Sequence, residues 1–340
     1  MIRGVCWVAG DSITDHNMDH VVENHINWIS QTPFGWMDGH TNPEVRYSGS
    51  SRNWGGSDVG LIHTTKLAHK QGIKVMLKPH IWISNADGFW RSDIAMKSEE
   101  EWDAWFCSYS DFMMHYARVA EEGKIDALCI GAELYLTTTK YPEKWIELIQ
   151  KVREVYNGKV TYAANFYKEY EEVTFWGHLD AIGIQGYFPL GKKENPTKSM
   201  LLDAWKPHVA AMKAVTEKYG KPIIFTEIGY RNTTDAAIEP WLWPRQLDDS
   251  VVQSDEIQAV CLDAMFESLW NEPWFDGVYI WKWFRGSYRD SQEDFYKRME
   301  ERRKEAATSG RRRMSHIGFS PQNRIGEEVM KSWFEKNVRR

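Results

Sequence analysis

The sequence predicts a single-domain (β/α)8 barrel, also called a TIM barrel, over residues 1–340. Short apolar runs, typical of buried parallel strands, alternate along the chain with longer segments of helical periodicity. Eight strand candidates separated in this way fit a closed barrel better than an open doubly wound sheet. No GxGxxG turn follows the first strand, so a dinucleotide-binding fold lacks its most specific signal.

The predicted strands are short and mostly apolar, as expected for strands that helices cover on the outside. They span residues 4–7, 25–30, 74–78, 127–131, 160–164, 181–184, 223–226 and 277–281. Apolar residues spaced near 3.6 positions apart predict helices between and after them, over 57–70, 98–121, 142–156, 201–219, 254–270 and 326–336. Several helix ends carry specific signals: Gly72 and Gly220 follow two of the helices, and Pro142 occupies a first turn.

One segment interrupts this alternation. Residues at about 285–314, between the eighth strand and the last helix, are dense in charge and predict an insertion into the barrel. The insertion is either a solvated helical element or a loop that shapes the cleft or an oligomer contact. The sequence does not determine the oligomeric state.

The composition excludes some partners. With 42 Lys plus Arg against 48 Asp plus Glu, the net charge of −6 argues against a nucleic acid or an anionic membrane as partner. No segment has transmembrane length, and the chain enters a strand without a signal peptide. The protein is therefore cytoplasmic as written, or a secreted protein whose leader has been removed.

Two glutamates carry the main functional prediction. Glu133 and Glu227 follow the fourth and seventh predicted strands, at the barrel face where α/β barrels keep their active sites. A lone glutamate there is more often a partner for Arg or Lys, but a pair can act as acid/base and nucleophile of a retaining glycoside hydrolase. Neither segment contains a nearby basic residue, which favours catalysis.

Other strand ends add polar and aromatic side chains to the same face. His80 and Trp82 follow the third strand, Asn165 the fifth and Tyr187 the sixth, and Trp281 closes the eighth. His80 is predicted either to bind a sugar hydroxyl or orient a carboxylate, or to be a packing residue. Tyr187 is predicted to hydrogen-bond the nucleophile, and Trp281 to form the floor of the sugar subsite before the scissile bond.

Tryptophan is unusually frequent, with 18 residues, and many of them stand beside Gly, Asn, His or Pro in predicted loops. An indole ring presents a flat apolar face to sugar C–H groups, and its N–H donates a hydrogen bond. Any single tryptophan is more often a core residue, but the loop tryptophans as a set predict a carbohydrate-binding cleft. Trp36 and Trp54 are assigned to it together with Trp82.

Two other chemistries have weaker support. His16 and His20 stand four residues apart, as two metal ligands on one helix face would, but the glutamate of the zinc-protease helix motif is missing. No CxxC pair and no nucleophile-elbow sequence is present, which argues against a zinc knuckle and a Ser-His-Asp triad. No metal is predicted.

The chain resembles glycoside hydrolase family 113, barrel enzymes that act on β-mannans with retention. The resemblance spans nearly the whole chain and rests on IGAEL at 130–134, matching positions within 148–156, LDAIGI at 179–184, YFPL at 187–190, KPIIFTEIGYR at 221–231, AIEPW at 237–241 and FSPQ at 319–322. It implies Glu133 as general acid/base, Glu227 as nucleophile, a cleft for β-1,4-linked mannosyl units and no cofactor.

Two departures from related enzymes concern the substrate. Many of them place Asn before the acid/base, where it binds the sugar 2-hydroxyl, whereas this chain has Ala132. The insertion after Arg285 is the second departure, and it would convert an endo-acting enzyme to an exo-acting one if it closed the cleft. The expected function is hydrolysis of β-1,4-mannosidic bonds in mannan or manno-oligosaccharides. The alternatives are an exo-acting β-mannosidase, a retaining β-glucosidase or β-galactosidase, and a carbohydrate-binding barrel without catalysis.

Overall fold

A computed structural model of the chain describes residues 1–8, 10–50, 53–247, 250–285 and 317–338. Its strands are β1 (Ile2–Val8), β2 (Trp28–Gln31), β3 (Phe34–Asp38), β4 (Lys74–Leu77), β5 (His80–Ser84), β6 (Ala127–Ala132), β7 (Lys159–Asn165), β8 (Ala181–Gln185), β9 (Ile223–Ile228) and β10 (Phe275–Phe284). Eight of these close a parallel barrel in the order β1-β2-β4-β6-β7-β8-β9-β10. The predicted (β/α)8 fold is therefore confirmed, whereas most of the predicted insertion lies outside the described residues.

The helices pack outside the barrel. They are α1 (Asp19–Glu23), α2 (Asp58–Lys70), α3 (Glu99–Glu122), α4 (Tyr135–Lys140), α5 (Pro142–Val155), α6 (Glu169–Glu172), α7 (Lys198–Tyr219), α8 (Asp255–Leu269) and α9 (Ile325–Val338). Ser57 and Ser254 cap α2 and α8 by accepting hydrogen bonds from the N–H groups of Gly60 and Ile257. Gly220 ends α7 with a φ of +64°, in the left-handed region that glycine adopts without steric cost.

A small second sheet extends one side of the barrel mouth. Strands β3 and β5 pair in parallel directly beyond β2 and β4, and the sequence did not predict them. A short break that contains Pro33 separates β2 from β3, and a short break that contains Pro79 separates β4 from β5. Proline lacks an N–H and usually ends a ladder of strand hydrogen bonds. The predicted strands 25–30 and 74–78 therefore end before these prolines. The His80 N–H donates to the Pro33 carbonyl, at 2.9 Å, and pairing resumes.

The core has two parts. Inside the barrel, small residues and a few larger ones fill the space: Cys6, Met76, Ala127, Cys129, Ala132, Ala163 and Tyr279. The larger core lies between strands and helices and contains five fully buried tryptophans, Trp105, Trp145, Trp176, Trp205 and Trp283. Many of the tryptophans therefore serve packing, which is the role predicted for any one tryptophan considered alone.

A cavity of about 450 Å³ opens at the N-terminal end of the strands and is lined by residues that include Trp28, Lys74 and Lys159. In α/β barrels this end contributes to stability, and chemistry takes place at the carboxyl end. The candidate site described below lies at that opposite end. Within the described part of the chain, no helix has the length and apolar character needed to cross a membrane.

Candidate active site

Glu133 directly follows β6 and has an unusual backbone conformation. Its φ is +55°, the left-handed region that is costly for residues with a side chain. Its N–H donates to the Ala163 carbonyl of β7, at 2.9 Å, which holds the residue at the barrel mouth. The residue is 9% exposed, so its carboxyl group is largely shielded from bulk water.

Two side chains from the loop after β5 hold the Glu133 carboxyl group. Trp90 Nε1 donates to Oε2 at 2.9 Å, and Arg91 Nε donates to the same oxygen at 3.1 Å. The Arg91 guanidinium also lies over the Trp90 ring, 4.5 Å from its centroid, in a cation–π contact. Both donors contact one oxygen, so Oε1 is the atom left for another partner.

Glu227 lies within β9 and accepts three side-chain hydrogen bonds. Lys78 Nζ and Gln185 Nε2 donate to Oε2, at 2.9 and 3.2 Å, and Tyr187 Oη donates to Oε1 at 2.5 Å. The residue is 7% exposed. Charge-assisted bonds from a lysine and a phenol fix the plane of the carboxylate and stabilise its negative charge.

Lys78 is completely buried and forms an ion pair with Glu227. Burial, the largest effect, lowers the pKa of Lys78, but the charge and hydrogen bond of Glu227, together with Cys6 and Cys129, outweigh it and the pKa is raised. Lys78 also donates to the Thr226 carbonyl at 3.0 Å. The cation is therefore fixed beneath Glu227 and stays charged.

Tyr187 connects the two carboxylates electrostatically. Its pKa is raised well above the usual value, first by burial, then by the charge and hydrogen bond of Glu227, and further by the charge of Glu133. The charges of both glutamates therefore raise the pKa of one phenol. The sequence correctly predicted the contact of Tyr187 with Glu227.

The cationic partners of both glutamates were missed. No basic residue lies within three positions of either glutamate in the sequence, yet Lys78 pairs with Glu227 and Arg91 with Glu133. Lys78 carried a signal, because it closes a predicted strand. Arg91 carried none, since it comes from a loop 42 residues before Glu133.

His80 belongs to the same network as Glu133. Its Nδ1 accepts from Arg91 Nη1 at 3.1 Å, which places the ring hydrogen of the neutral form on Nε2. Burial, and then the charges of Arg91 and Lys78, hold the pKa of His80 well below its usual value. No described protein atom is a hydrogen-bond partner of Nε2. His80 thus has one buried donor without a partner among the described residues, on a ring that contacts Arg91.

The second sheet presents two tryptophans side by side. Trp36 and Trp82 are opposite each other in register, and each is 39% exposed. Alternation along a strand puts Trp82 on the same face as His80. This face therefore runs from the His80–Arg91–Glu133 network to the exposed ring pair, which we term the tryptophan platform.

The remaining predicted residues differ in their surroundings. Trp281 lies within β10, three residues before its end. It packs edge-on to Trp243 with ring centroids 6.2 Å apart, and Lys282 Nζ lies 5.6 Å from the centroids of both rings. Asn165 is engaged locally, because its N–H donates to Glu169 and its Oδ1 accepts from the Tyr167 N–H. Trp54 packs edge-on against His63, and no described contact links it to either glutamate.

The histidines of the weaker metal hypothesis have separate partners. His16 is highly exposed and contacts Asp19 at 3.3 Å, whereas His20 contacts Glu327 and packs on Trp283. Among the described residues, no group of three or more His, Cys, Asp or Glu side chains is arranged to hold a metal ion.

A third buried carboxyl group, that of Glu169, lies behind Glu133 and was not predicted. Burial raises the pKa of Glu169 to about 7, and hydrogen bonds from Asn165, Tyr162 and Thr138 only partly oppose this effect. Because the folded pKa lies above the ordinary value of 4.5, the folded state binds the proton more tightly than the unfolded chain. Ionisation of Glu169 therefore costs stability near neutral pH.

Replacing Glu169 with glutamine should reveal this cost as a pH dependence. The contribution of Glu169 to stability is fully present below about pH 4.5 and is lost as the pH rises through about 7. Relative to Glu169→Gln, the wild type should lose on the order of 3 kcal/mol of unfolding free energy between pH 5 and pH 8. Denaturant unfolding of both proteins at half-unit pH steps measures this difference. A difference that does not vary with pH would contradict the prediction.

Comparisons with known proteins place this chain in a family. The sequence model of Glycoside Hydrolase Family 113 matches residues 8–300. A solved family 113 β-mannanase from Alicyclobacillus acidocaldarius, in complex with ManMIm, is 28% identical and has a TM-score of 0.78. That match covers 98% of this chain and 97% of the other. A solved complex of a family 113 β-1,4-mannanase is 25% identical over 98% of both chains, with a TM-score of 0.74.

More distant matches share the fold alone. A β-glucuronidase from Ruminococcus gnavus is 13% identical, has a TM-score of 0.55, and aligns over 83% of this chain and 43% of its own. No curated protein matches the chain.

Proposed function

The chain belongs to glycoside hydrolase family 113 and is a glycoside hydrolase, and from this premise we propose that it cleaves β-1,4-mannosidic bonds with retention of configuration. The observation that carries the proposal is the pair of buried glutamates at the ends of β6 and β9, each held by a different set of donors. Retaining hydrolysis needs two carboxyl groups with different roles, one ionised and one able to give up a proton.

Glu227 has the environment of a nucleophile. Lys78 supplies a full positive charge within hydrogen-bond distance, and Gln185 and Tyr187 supply two neutral donors. These contacts offset the negative charge of the carboxylate and fix its orientation. In the first step, a Glu227 oxygen bonds to the anomeric carbon as the bond from that carbon to the leaving oxygen breaks.

Glu133 has the arrangement of an acid/base. Trp90 and Arg91 both donate to Oε2, so Oε1 is the oxygen that carries the proton to the leaving group. In the second step, Glu133 takes a proton from water, and the water oxygen displaces Glu227 from the anomeric carbon. Glu227 leaves as a carboxylate, and Glu133 is again protonated.

The other predicted residues are assigned to substrate binding. The tryptophan platform lies on the Glu133 side and would bind sugars on the leaving-group side of the scissile bond. Trp281 stands on β10, beside the strand of Glu227, and would support the sugar that becomes attached to it. Ala132 has no polar side chain for the 2-hydroxyl, so another residue would supply that contact. Asn165 and Trp54 remain candidates for more distant sugar units.

Removing one ring of the platform should affect long substrates selectively. Trp82→Ala should lower kcat/KM for mannohexaose about tenfold, because loss of a sugar–aromatic contact worth about 1.4 kcal/mol corresponds to that factor. Activity on mannobiose or an aryl mannoside should change less than about twofold. Trp82→Phe, which keeps a ring, serves as the matched control. Equal losses on short and long substrates would contradict a platform role.

The reaction itself is tested by incubating the protein with mannohexaose, mannobiose and cello-oligosaccharides and following product lengths over time. Mixed short manno-oligosaccharides would support an endo-acting mannanase, and release of mannose alone would indicate an exo-acting β-mannosidase. Cleavage of only the gluco-series would contradict the mannan assignment but not the mechanism. No cleavage of any substrate would favour a carbohydrate-binding barrel. Proton NMR of the first product distinguishes retention from inversion.

A further inference from the structure

Glu169 lies at the start of α6 and is completely buried. Its carboxyl group accepts three hydrogen bonds, from Tyr162 Oη at 2.6 Å, Thr138 Oγ1 at 3.0 Å and the Asn165 N–H at 2.7 Å. No described Lys, Arg or His forms an ion pair with it. A buried carboxylate that only neutral donors satisfy is rare in proteins.

The hydroxyl group of Tyr162 connects Glu169 to the backbone of the active site. It donates to Glu169 and accepts from the Leu134 N–H at 2.7 Å. Leu134 is the residue directly after Glu133. The Tyr162 ring is fixed by edge contacts with Trp145 and Phe175, so the hydroxyl position is determined by the core.

Two consecutive N–H groups are therefore attached to β7. The Glu133 N–H donates to the Ala163 carbonyl, and the Leu134 N–H donates to Tyr162 Oη. Between these two anchors, the Glu133 backbone has its left-handed φ of +55°. Such a conformation persists only when the surrounding structure over-determines it. The Tyr162 hydroxyl is thus part of what directs the Glu133 side chain.

The other donors extend the same support. Thr138 belongs to α4, the helix that begins just after Glu133, and Asn165 ends β7. Glu169 therefore holds three segments that frame Glu133: α4, the end of β7 and, through Tyr162, the turn at Leu134. Its ionised form strengthens the Tyr162 hydrogen bond, since a charged acceptor binds a hydroxyl about twice as strongly as a neutral one.

Stability does not account for this carboxylate. Burial raises the pKa of Glu169 to about 7, so its charged form weakens the fold at neutral pH. A neutral side chain would avoid the cost of burying a charge. What the carboxylate adds is a short, directional bond to the hydroxyl that holds Leu134.

We propose that Glu169 and Tyr162 are positioning residues for Glu133, and that their hydrogen bond fixes the turn at Leu134 so that the acid/base carboxyl group meets the leaving oxygen. The inference rests on the proposed function, since it requires Glu133 to act as the proton donor. It concerns the proton-transfer step and not the identity of the sugar.

The test compares substrates that differ in their need for a proton. Mannohexaose requires protonation of its leaving oxygen, whereas dinitrophenolate leaves a 2,4-dinitrophenyl β-mannoside without it. The value of kcat/KM reports the cleavage of the first bond, the step that needs the proton. Glu169→Gln and Tyr162→Phe should each lower kcat/KM for mannohexaose by roughly 10- to 100-fold. On the aryl mannoside, kcat/KM should stay within about threefold of the wild type.

Tyr156→Phe is the matched control. Tyr156 also donates a buried hydroxyl hydrogen bond, at 2.7 Å, but to the Ile125 carbonyl just before the start of β6. Its loss should leave the ratio of the two kcat/KM values unchanged. Circular dichroism and thermal unfolding confirm that each variant is folded.

Equal losses on both substrates, or no loss on either, would overturn the inference. Failure of the proposed function would appear in the wild-type protein instead. If the wild type cleaves only gluco-substrates, the same comparison is made with cellohexaose and the corresponding aryl glucoside. If it cleaves no glycoside, the proposed function and the inference both fail.

Discussion

Replacing Glu227 with alanine should abolish turnover and also weaken the fold. Loss of a covalent nucleophile typically costs on the order of 10⁵-fold or more in kcat. Lys78, whose side chain is 0% exposed, would lose its only ion-pair partner among the described residues. Breaking a buried ion pair on one side costs about 3–5 kcal/mol. Initial rates on mannohexaose and denaturant unfolding measure the two effects.

A double variant separates the two effects. Replacing both members of a buried pair by apolar residues of similar size is often neutral, since no charge is left without a partner. Glu227→Leu combined with Lys78→Met should therefore recover most of the stability and none of the activity. If the double variant were no more stable than Glu227→Ala, the ion pair would not be the cause.

Azide rescue identifies the nucleophile chemically. In Glu227→Ala, azide can occupy the vacated position and displace an activated leaving group directly. One displacement inverts the anomeric carbon, so a β-mannoside should give the α-azide. A β-azide from this variant would contradict the assignment of Glu227.

Replacing Glu133 with alanine should give a loss that depends on the leaving group. On mannohexaose, kcat/KM should fall about 10²- to 10⁴-fold, the usual contribution of general acid catalysis. On the dinitrophenyl mannoside, kcat/KM should be nearly unchanged, while kcat falls because the second step lacks its base. Azide should restore kcat and give the β-azide, since it attacks the mannosyl enzyme from the face that water uses.

A loss of kcat/KM that was equal on the two substrates would contradict the role of Glu133. Glu133→Gln is the matched control for this experiment. It keeps an acceptor for Trp90 and Arg91 but has no proton to give. It should therefore reproduce the loss on mannohexaose without disturbing the two donors.

The fold was predictable because its signals are local. Each apolar run and each helix cap is a pattern of a few consecutive residues. The structure contains all eight predicted strands and all six predicted helices. The pairing of β3 with β5 was missed because Pro33 and Pro79 imitate strand ends. The short helices α1, α4 and α6 were also missed, since four to six residues carry too little periodicity to predict a helix.

The candidate site was predictable only in part. Placing Glu133 and Glu227 at strand ends required no more than the barrel rule and a count of strands. Their cationic partners required the tertiary structure: Lys78 and Glu227 are 149 residues apart in sequence, and Arg91 and Glu133 are 42 apart. No periodicity or motif records such distances. No Lys, Arg or His lies within three positions of either glutamate in the sequence, but in the structure each glutamate pairs with a cation from a distant segment.

The sequence by itself determined that this chain forms a parallel barrel with two glutamates at its carboxyl end, because strand order and side-chain alternation follow from local pattern. Only the tertiary structure decided how the two carboxyl groups differ. Glu227 lies above a buried lysine, whereas Glu133 has an oxygen left free by Trp90 and Arg91 and a backbone held through Tyr162 by Glu169. These differences arise from burial and from contacts between distant segments, which exist only once the barrel has closed.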